Sequence, residues 1–394
     1  MNILIFFISL AWTQDFDYSQ FTRYNSKFNA TQLKTRITAF LQKTNTVGNY
    51  YSFKPGQFVL KNQNGTEEFN LKLLTKNFAT KTMKVITPYR KKIRIALDPG
   101  HFGGAYSILE ARHFHQFPSA ENNHRDILVK EGNINFLTAK VLKEQLEAIG
   151  IEVMLTRSGI GESAFGKNYD EWYDQDLNTF IDNKVAEVPA VSRERERTRL
   201  RALSKEEMFY HFNLADLQKR ADLINEYKPD LSISIHYNSC GKQIDNQTYL
   251  AAPANFTMVF VGGSLGGSYF KNKNYRYHFL RMLLTDHVDK AVIMAKHLVL
   301  EFKKNLNIPI VDPTKHIAPY LKNSSMKHVE GVYSRGLFMT REIESAAILG
   351  EASCMDFPNE GVQLQHGEVT ENSPRIQAVA KSYFNAVKKS FNLK

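Results

Sequence analysis

From Ile93 onward the chain alternates short apolar runs with longer segments of helical periodicity, and this alternation constrains the fold more than any other feature. IRIALD predicts a strand, with Ile93, Ile95 and Leu97 alternating with Arg94, Ala96 and Asp98. NINFLTAKVLKEQLEAIG puts Ile134, Leu137, Val141, Leu142, Leu146 and Ile149 at helical spacing, with Gly150 where a C-cap belongs. IEVMLT then reads as a strand, NLADLQKRADLINEYKP as a helix capped by Asn213, and LSISIH as another strand. A long helix in VDKAVIMAKHLVLEFKKNLN, a strand in AAILGE and a closing helix in PRIQAVAKSYFNAVKKSF complete the series. The pattern predicts an α/β fold: an open, twisted, mostly parallel sheet with helices on both faces.

The preceding residues differ in character. Residues 14–92 are rich in Phe, Tyr, Asn, Thr and Lys and predict a small α+β unit of unassigned role. TQLKTRITAFLQ reads as a short helix burying Leu33, Ile37 and Leu41, and YSFKPGQFVLKNQNGTEEFNLKLL as two strands joined at Asn64-Gly65. The first residues, MNILIFFISLAWTQ, hold an apolar run too short to span a bilayer. It is either the core of an export signal over residues 1–13 or a buried N-terminal strand. Nothing else in the chain is long and apolar enough to cross a membrane, so a soluble mature protein is expected.

A length of 394 residues leaves room for a main domain plus a smaller unit or insertions. The net charge of +11, with a pI near 9.3, favours an anionic partner: nucleic acid, anionic lipid or an acidic polymer such as a cell wall. No arginine-glycine or aromatic RNA-binding signature is present, which leaves nucleic acid without support. The two cysteines, Cys240 and Cys354, are too few for a four-cysteine zinc site; they form one bridge or remain two buried thiols.

Two stretches interrupt the alternation. Residues 158–212 contain RERERTRLRALSKEE, either a solvated charged helix or a contact for an anionic polymer. Residues 239–286 contain the strand TMVFVGG, a flexible GGSLGGS loop without the GK[ST] of a phosphate cradle, and the basic-aromatic run YFKNKNYRYHFLR. Lys271, Lys273, Arg276 and Arg281 of that run are either polymer contacts or part of a solvated loop.

In open α/β sheets, ligand chemistry collects beyond the carboxyl ends of the strands. His101 follows IRIALD in the turn LDPGHFGG, His236 ends LSISIH, Glu351 ends AAIL-G, and Glu131 stands just before a helix. Two imidazoles and a carboxylate are the donor set of a catalytic zinc, with the fourth position left for water, and a second carboxylate can shuttle the proton. The spacing of these residues matches no short zinc motif. Asp98 is placed either to accept a hydrogen bond from the His101 ring or to cap the turn.

Four blocks, DPGHFGG, KEGNINFLTAKVLKEQLEAIGIEVMLTR, DLQKRADLINEYKPDLSISIHYNS and AAILGEASCMDFPNE, occur in that order and resemble the zinc-dependent N-acetylmuramoyl-L-alanine amidases of bacterial cell walls. The resemblance runs from about Ile93 to the end. It implies that His101, Glu131 and His236 hold Zn2+ and that Glu351 is the catalytic glutamate. It also implies a hydrolase that cleaves the bond between N-acetylmuramic acid and L-alanine in peptidoglycan, acting after export in the periplasm or cell envelope. Three other readings are a zinc peptidase acting within the stem peptide, a non-catalytic wall-binding protein on an amidase scaffold, and an effector delivered to another cell's wall.

The sequence departs from the family pattern at several points. Phe102 intrudes where the turn usually reads GHGG, and insertions are expected at about 102–128, 158–212 and 239–286. The first insertion carries ARHFHQF, whose His113 and His115 are rival ligands. The insertions are expected to rim the cleft and to affect substrate preference or autoinhibition.

Overall fold

The computed structural model describes residues 16–76, 83–116, 126–243, 249–315, 319–364 and 369–394. The apolar run considered as an export signal lies outside these residues, as does part of the first insertion.

After a 3-10 helix over Tyr18–Tyr24, the N-terminal unit forms α1 (Ala30–Arg36), started by a capping box in which Asn29 and Gln32 satisfy each other's backbone N–H groups. Leu33, Ile37 and Leu41 are buried, as their spacing predicts. Three strands follow where two were expected: β1 (Tyr51–Lys54), β2 (Gln57–Lys61) and β3 (Glu67–Lys72), all antiparallel. The additional break is the Pro55-Gly56 turn, where Gly56 takes a φ of 69° that a side chain disfavours.

Next come β4 (Arg94–Pro99), α2 (Tyr106–Leu109), β5 (His113–Gln116), β6 (Ile127–Lys130), α3 (Glu131–Ala148) and β7 (Glu152–Leu155). A helical excursion, α4 (Tyr169–Ala186), α5 (Arg193–Arg201) and α6 (Lys205–Tyr227), leads into β8 (Leu231–Asn238). The ribbon β9 (Lys242–Gln243) and β10 (Tyr249–Leu250) precedes β11 (Met258–Val261), α7 (Lys273–Leu284) and α8 (His287–Leu306). The chain ends with α9 (Pro319–Asn323), β12 (Ser325–Val329), β13 (Val332–Arg335), α10 (Phe338–Glu342), β14 (Ala347–Cys354), α11 (Pro358–Leu364) and α12 (Pro374–Ser390).

Seven strands form the central sheet in the order β12-β13-β11-β14-β8-β4-β7. Pairing is parallel from β14 through β8 and β4 to β7 and between β11 and β13; it is antiparallel where β11 meets β14 and β12 meets β13. The expected mostly parallel sheet is therefore present, with one reversed pair toward the far edge. Helices α3, α8 and α12 cover one face, while Ile224 of α6 and Met339 of α10 pack with Ala96 and Ala347 on the other.

Three segments differ from the sequence reading. α6 starts at Lys205 rather than at Asn213, because Ser204 and Glu207 form a capping box that carries the helix two turns further upstream. α4 was not anticipated; its Tyr169 and Trp172 pack with Phe209 and Phe212 of α6 against Phe102, so the residue that departs from the family turn anchors the excursion. The basic-aromatic run is neither a solvated loop nor a polymer contact at its arginines: it forms α7, with Arg276 and Arg281 buried. Arg276 pairs with Glu68 at 2.7 and 2.9 Å, which docks the N-terminal unit onto this helix.

Cys240 and Cys354 form a disulfide, 5.5 Å between Cα atoms, which settles the open choice between bridge and thiols. Among the described residues no helix is long and apolar enough to cross a membrane.

Candidate metal centre

The centre is built at the carboxyl ends of β4, β8 and β14. Parallel pairing sets Glu351 of β14 opposite His236 of β8, so the two side chains share a face of the sheet. His101 stands on the turn after β4 with φ +61°, a left-handed conformation that aims the ring away from the strand direction. The turn is tight because Gly100 passes under His236: a Cβ there would lie 2.2 Å from the ring carbon of His236. Glu131 opens α3, where a carboxylate is favoured by the positive helix end.

These segments bring His101, Glu131 and His236 together, with one ligand atom from each within 4.8 Å of the others; this is the single such His, Cys, Asp and Glu group among the described residues. His101 Nε2 lies 3.3 Å from Glu131 Oε2, and His236 Nδ1 lies 3.0 Å from Glu131 Oε1. Glu131 is 2 % exposed, whereas the rings of His101 and His236 retain 17 and 14 %. The carboxylate is thus shielded while both rings stay partly open to solvent.

Burial raises the pKa of Glu351 to about 7, with the Glu131 charge adding to the effect and His236, Arg112 and Arg335 opposing it. Burial also acts to raise Glu131, but His101 and His236 outweigh it and hold that carboxyl down at about 2. Two neighbouring carboxyls therefore have separated proton affinities, the arrangement that lets one stay anionic while the other exchanges protons. Oε2 of Glu351 is shielded from solvent and has no hydrogen-bond partner among the described residues.

Supporting groups missed by sequence reasoning surround the turn. Glu110 Oε1 lies 3.2 Å from His101 Nδ1, and its other oxygen accepts the Phe102 N–H at 2.8 Å. Asn135 donates to the Gly100 carbonyl at 2.9 Å, and Asn133 accepts the Gly104 N–H at 2.7 Å. The buried guanidinium of Arg157 donates to the carbonyls of Pro99, Gly100, Phe102 and Gly132. Asp98 does neither of the things expected of it. It is buried and accepts from Thr156 at 2.8 Å and Ser234 at 3.1 Å, because β7 and β8 flank it inside the sheet.

The rival histidines stay out of the cluster. Both lie on β5: His113 Nδ1 is 3.3 Å from the Ser107 carbonyl, and His115 Nε2 is 2.7 Å from Asp126.

The family model for N-acetylmuramoyl-L-alanine amidases matches residues 95–389. The chain belongs to this family. The match begins within β4 and spans every element that supplies the centre. No curated protein matches the amidase by sequence. Solved structures similar to it include the CwlD amidase from Clostridioides difficile in complex with the GerS lipoprotein, at 15% identity and a TM-score of 0.38 over 76% of this chain and 99% of that one. Two others are the amidase AmiC2 of Nostoc punctiforme, at 13% identity and 0.38 over 76 and 98%, and Ami1 from Mycobacterium smegmatis, at 13% and 0.39 over 76 and 97%.

The donor set of the amidase fits a bound metal. Glu110 is buried and its pKa is lowered: burial opposes this, but the His101 ring and the Phe102 N–H prevail. A Glu110 carboxylate can only accept, so it favours a proton on His101 Nδ1 and leaves Nε2 facing Glu131 Oε2. Two acceptors 3.3 Å apart require a shared cation or a second proton between them.

Proposed function

We propose that this amidase hydrolyses the amide bond between N-acetylmuramic acid and the L-alanine of peptidoglycan, using one zinc ion held by His101, Glu131 and His236. The observation that carries the reading is the convergence of two imidazoles and a carboxylate within 4.8 Å, beside Glu351 with its unpartnered oxygen. Two nitrogens and an oxygen, with a fourth position open, suit catalytic zinc. When bound, zinc supplies Lewis acidity that polarises the amide carbonyl and acidifies the attacking water.

The chain's own groups do the rest. Glu351 Oε2 takes the proton of the attacking water and delivers it to the departing L-alanine nitrogen. A proton affinity near neutrality, about 7, serves both halves of that transfer. Glu110 keeps the His101 ring oriented, and the buried Glu131 stays anionic between the two rings. The basic balance of the chain favours a substrate polymer rich in carboxylates. The reading includes export to the periplasm or cell envelope, which the Cys240–Cys354 bridge favours because oxidising compartments sustain disulfides. It also divides the chain into residues 14–92 and a catalytic domain over 93–394.

The test is a peptidoglycan digest with and without chelator, with products identified by mass spectrometry. Free stem peptides beginning with L-alanine are expected, absent after chelation and restored by zinc. Peptides cut internally would instead establish a stem peptidase. Glu351→Gln hydrolysing at the wild-type rate would remove the assigned base.

A further inference from the structure

Arg335, the last residue of β13, is a half-buried cation that forms no salt bridge with any of the described residues. Its guanidinium lies over the ring of Tyr320, 4.4 Å from the centroid, and 5.5 Å from that of Phe260. Tyr320 Oη accepts from Asn238 at 2.9 Å, two residues beyond His236 on β8, so the stacked pair is tied to the strand that carries a proposed ligand. The charge of Arg335 is felt by Glu351, as is that of exposed Arg112, whose carbonyl accepts the Glu131 N–H at 3.0 Å. Two arginine charges therefore act on Glu351.

The contrast with the rest of the chain is informative. Each of the fully buried arginines, Arg157, Arg220, Arg276, Arg281, Arg341 and Arg375, meets a carboxylate or carbonyl oxygen. Among the described residues, Arg335 meets only the two rings. Burial already disfavours its charge, and the rings of Tyr320 and Phe260 hold the guanidinium in place by cation–π contact. An oriented, partly desolvated guanidinium is suited to bidentate recognition of a carboxylate, at low entropic cost because it is already ordered.

Resting on the amidase reading above, we propose that Arg335 is a specificity determinant. It binds the free carboxylate of the stem-peptide residue that follows L-alanine, with Arg112 as the second cation at the rim. A neutral carboxamide at that position leaves the guanidinium without its anion and is disfavoured. A charged hydrogen bond of this kind corresponds to a discrimination of about 10- to 100-fold in kcat/KM, carried mainly by KM.

The experiment uses two synthetic muramoyl peptides that differ only in a carboxylate or carboxamide on the residue after L-alanine, with the zinc-loaded full chain. Wild type is expected to prefer the carboxylate. Arg335→Gln is expected to lose that preference, and Arg335→Lys to retain part of it. Equal cleavage of both substrates by wild type overturns the proposal. So does an Arg335→Gln variant that slows both substrates alike and keeps the preference, since that marks a structural role through Tyr320. Absence of product from either substrate with wild type overturns the amidase reading itself, and the specificity proposal with it.

Discussion

Glu110 Oε1 lies 3.2 Å from Nδ1 of His101, and this contact decides which nitrogen of the ring faces the centre. The pair is separated by nine residues and by the whole glycine turn, yet Glu110 is nearly fully buried, its side chain 4 % exposed. Its second oxygen holds the Phe102 N–H, and Asn213 of α6 donates to the first at 3.3 Å. One carboxylate thus fastens the ring, the backbone beside it and the helical excursion together.

Replacing Glu110 by Gln keeps the volume but removes the charge and one acceptor. The ring then loses its fixed tautomer, and zinc affinity is expected to fall by about 10- to 100-fold. Competition with a chromophoric chelator measures this directly. An affinity equal to that of wild type would show that Glu110 does not orient the ring.

Gly100 is required by proximity. Its missing Cβ would lie 2.2 Å from the His236 ring, which is too close for any side chain. Gly100→Ala is therefore expected to displace His236 and reduce bound zinc to well below one equivalent, while the far-ultraviolet circular dichroism stays that of the wild type. Metal analysis after gel filtration is the readout. One equivalent retained by a folded variant would mean that the turn yields without moving the ring.

The disulfide joins residues just beyond His236 on β8 and Glu351 on β14, and it closes a segment with a sequence separation of 114. A loop of that size corresponds to about 4–5 kcal/mol of constraint on the unfolded chain. The double variant Cys240→Ser, Cys354→Ala should lose stability of that order, seen as a Tm several degrees lower in calorimetry. A Tm unaffected by both the substitution and reductant would show the bridge to be thermodynamically idle.

Much of this arrangement was legible in the sequence. IRIALD, IEVMLT and LSISIH became neighbouring parallel strands, with His101 just beyond the carboxyl end of the first and His236 two residues before that of the third. Apolar periodicity and strand-end location are local properties, and they survive folding. What was not legible depends on distant partners. Arg276 is buried because Glu68, 208 residues earlier, meets it, and nothing near YFKNKNYRYHFLR announces that pairing. Glu110 was hidden for the same reason, since an isolated glutamate in GAYSILEARHF carries no pattern. The early start of α6 was a different kind of miss: Ser204 and Glu207 were visible as a capping box and outweigh Asn213.

His287 makes the stability of the amidase depend on acid. It stands at the start of α8, lining a cleft of about 1370 Å3 between α1 and the α7–α8 junction, and its Nδ1 has no hydrogen-bond partner among the described residues. Burial, with Arg281 next, pushes its pKa down from 6.5 to about 3; Asp286 opposes them, while Lys290 and Arg23 act in the same direction. The unfolded chain therefore takes up a proton in the interval between those two values that the folded chain refuses. The associated stability is complete above about pH 6.5 and is lost as the pH falls toward 3. Carboxylates titrate in the lower part of the same interval, so the comparison must be with His287→Asn, which cannot take up that proton. Denaturant titrations from about pH 7 to about pH 4 should show wild type losing stability more steeply than the variant. Identical slopes would mean that the ring is solvated and titrates at its ordinary value.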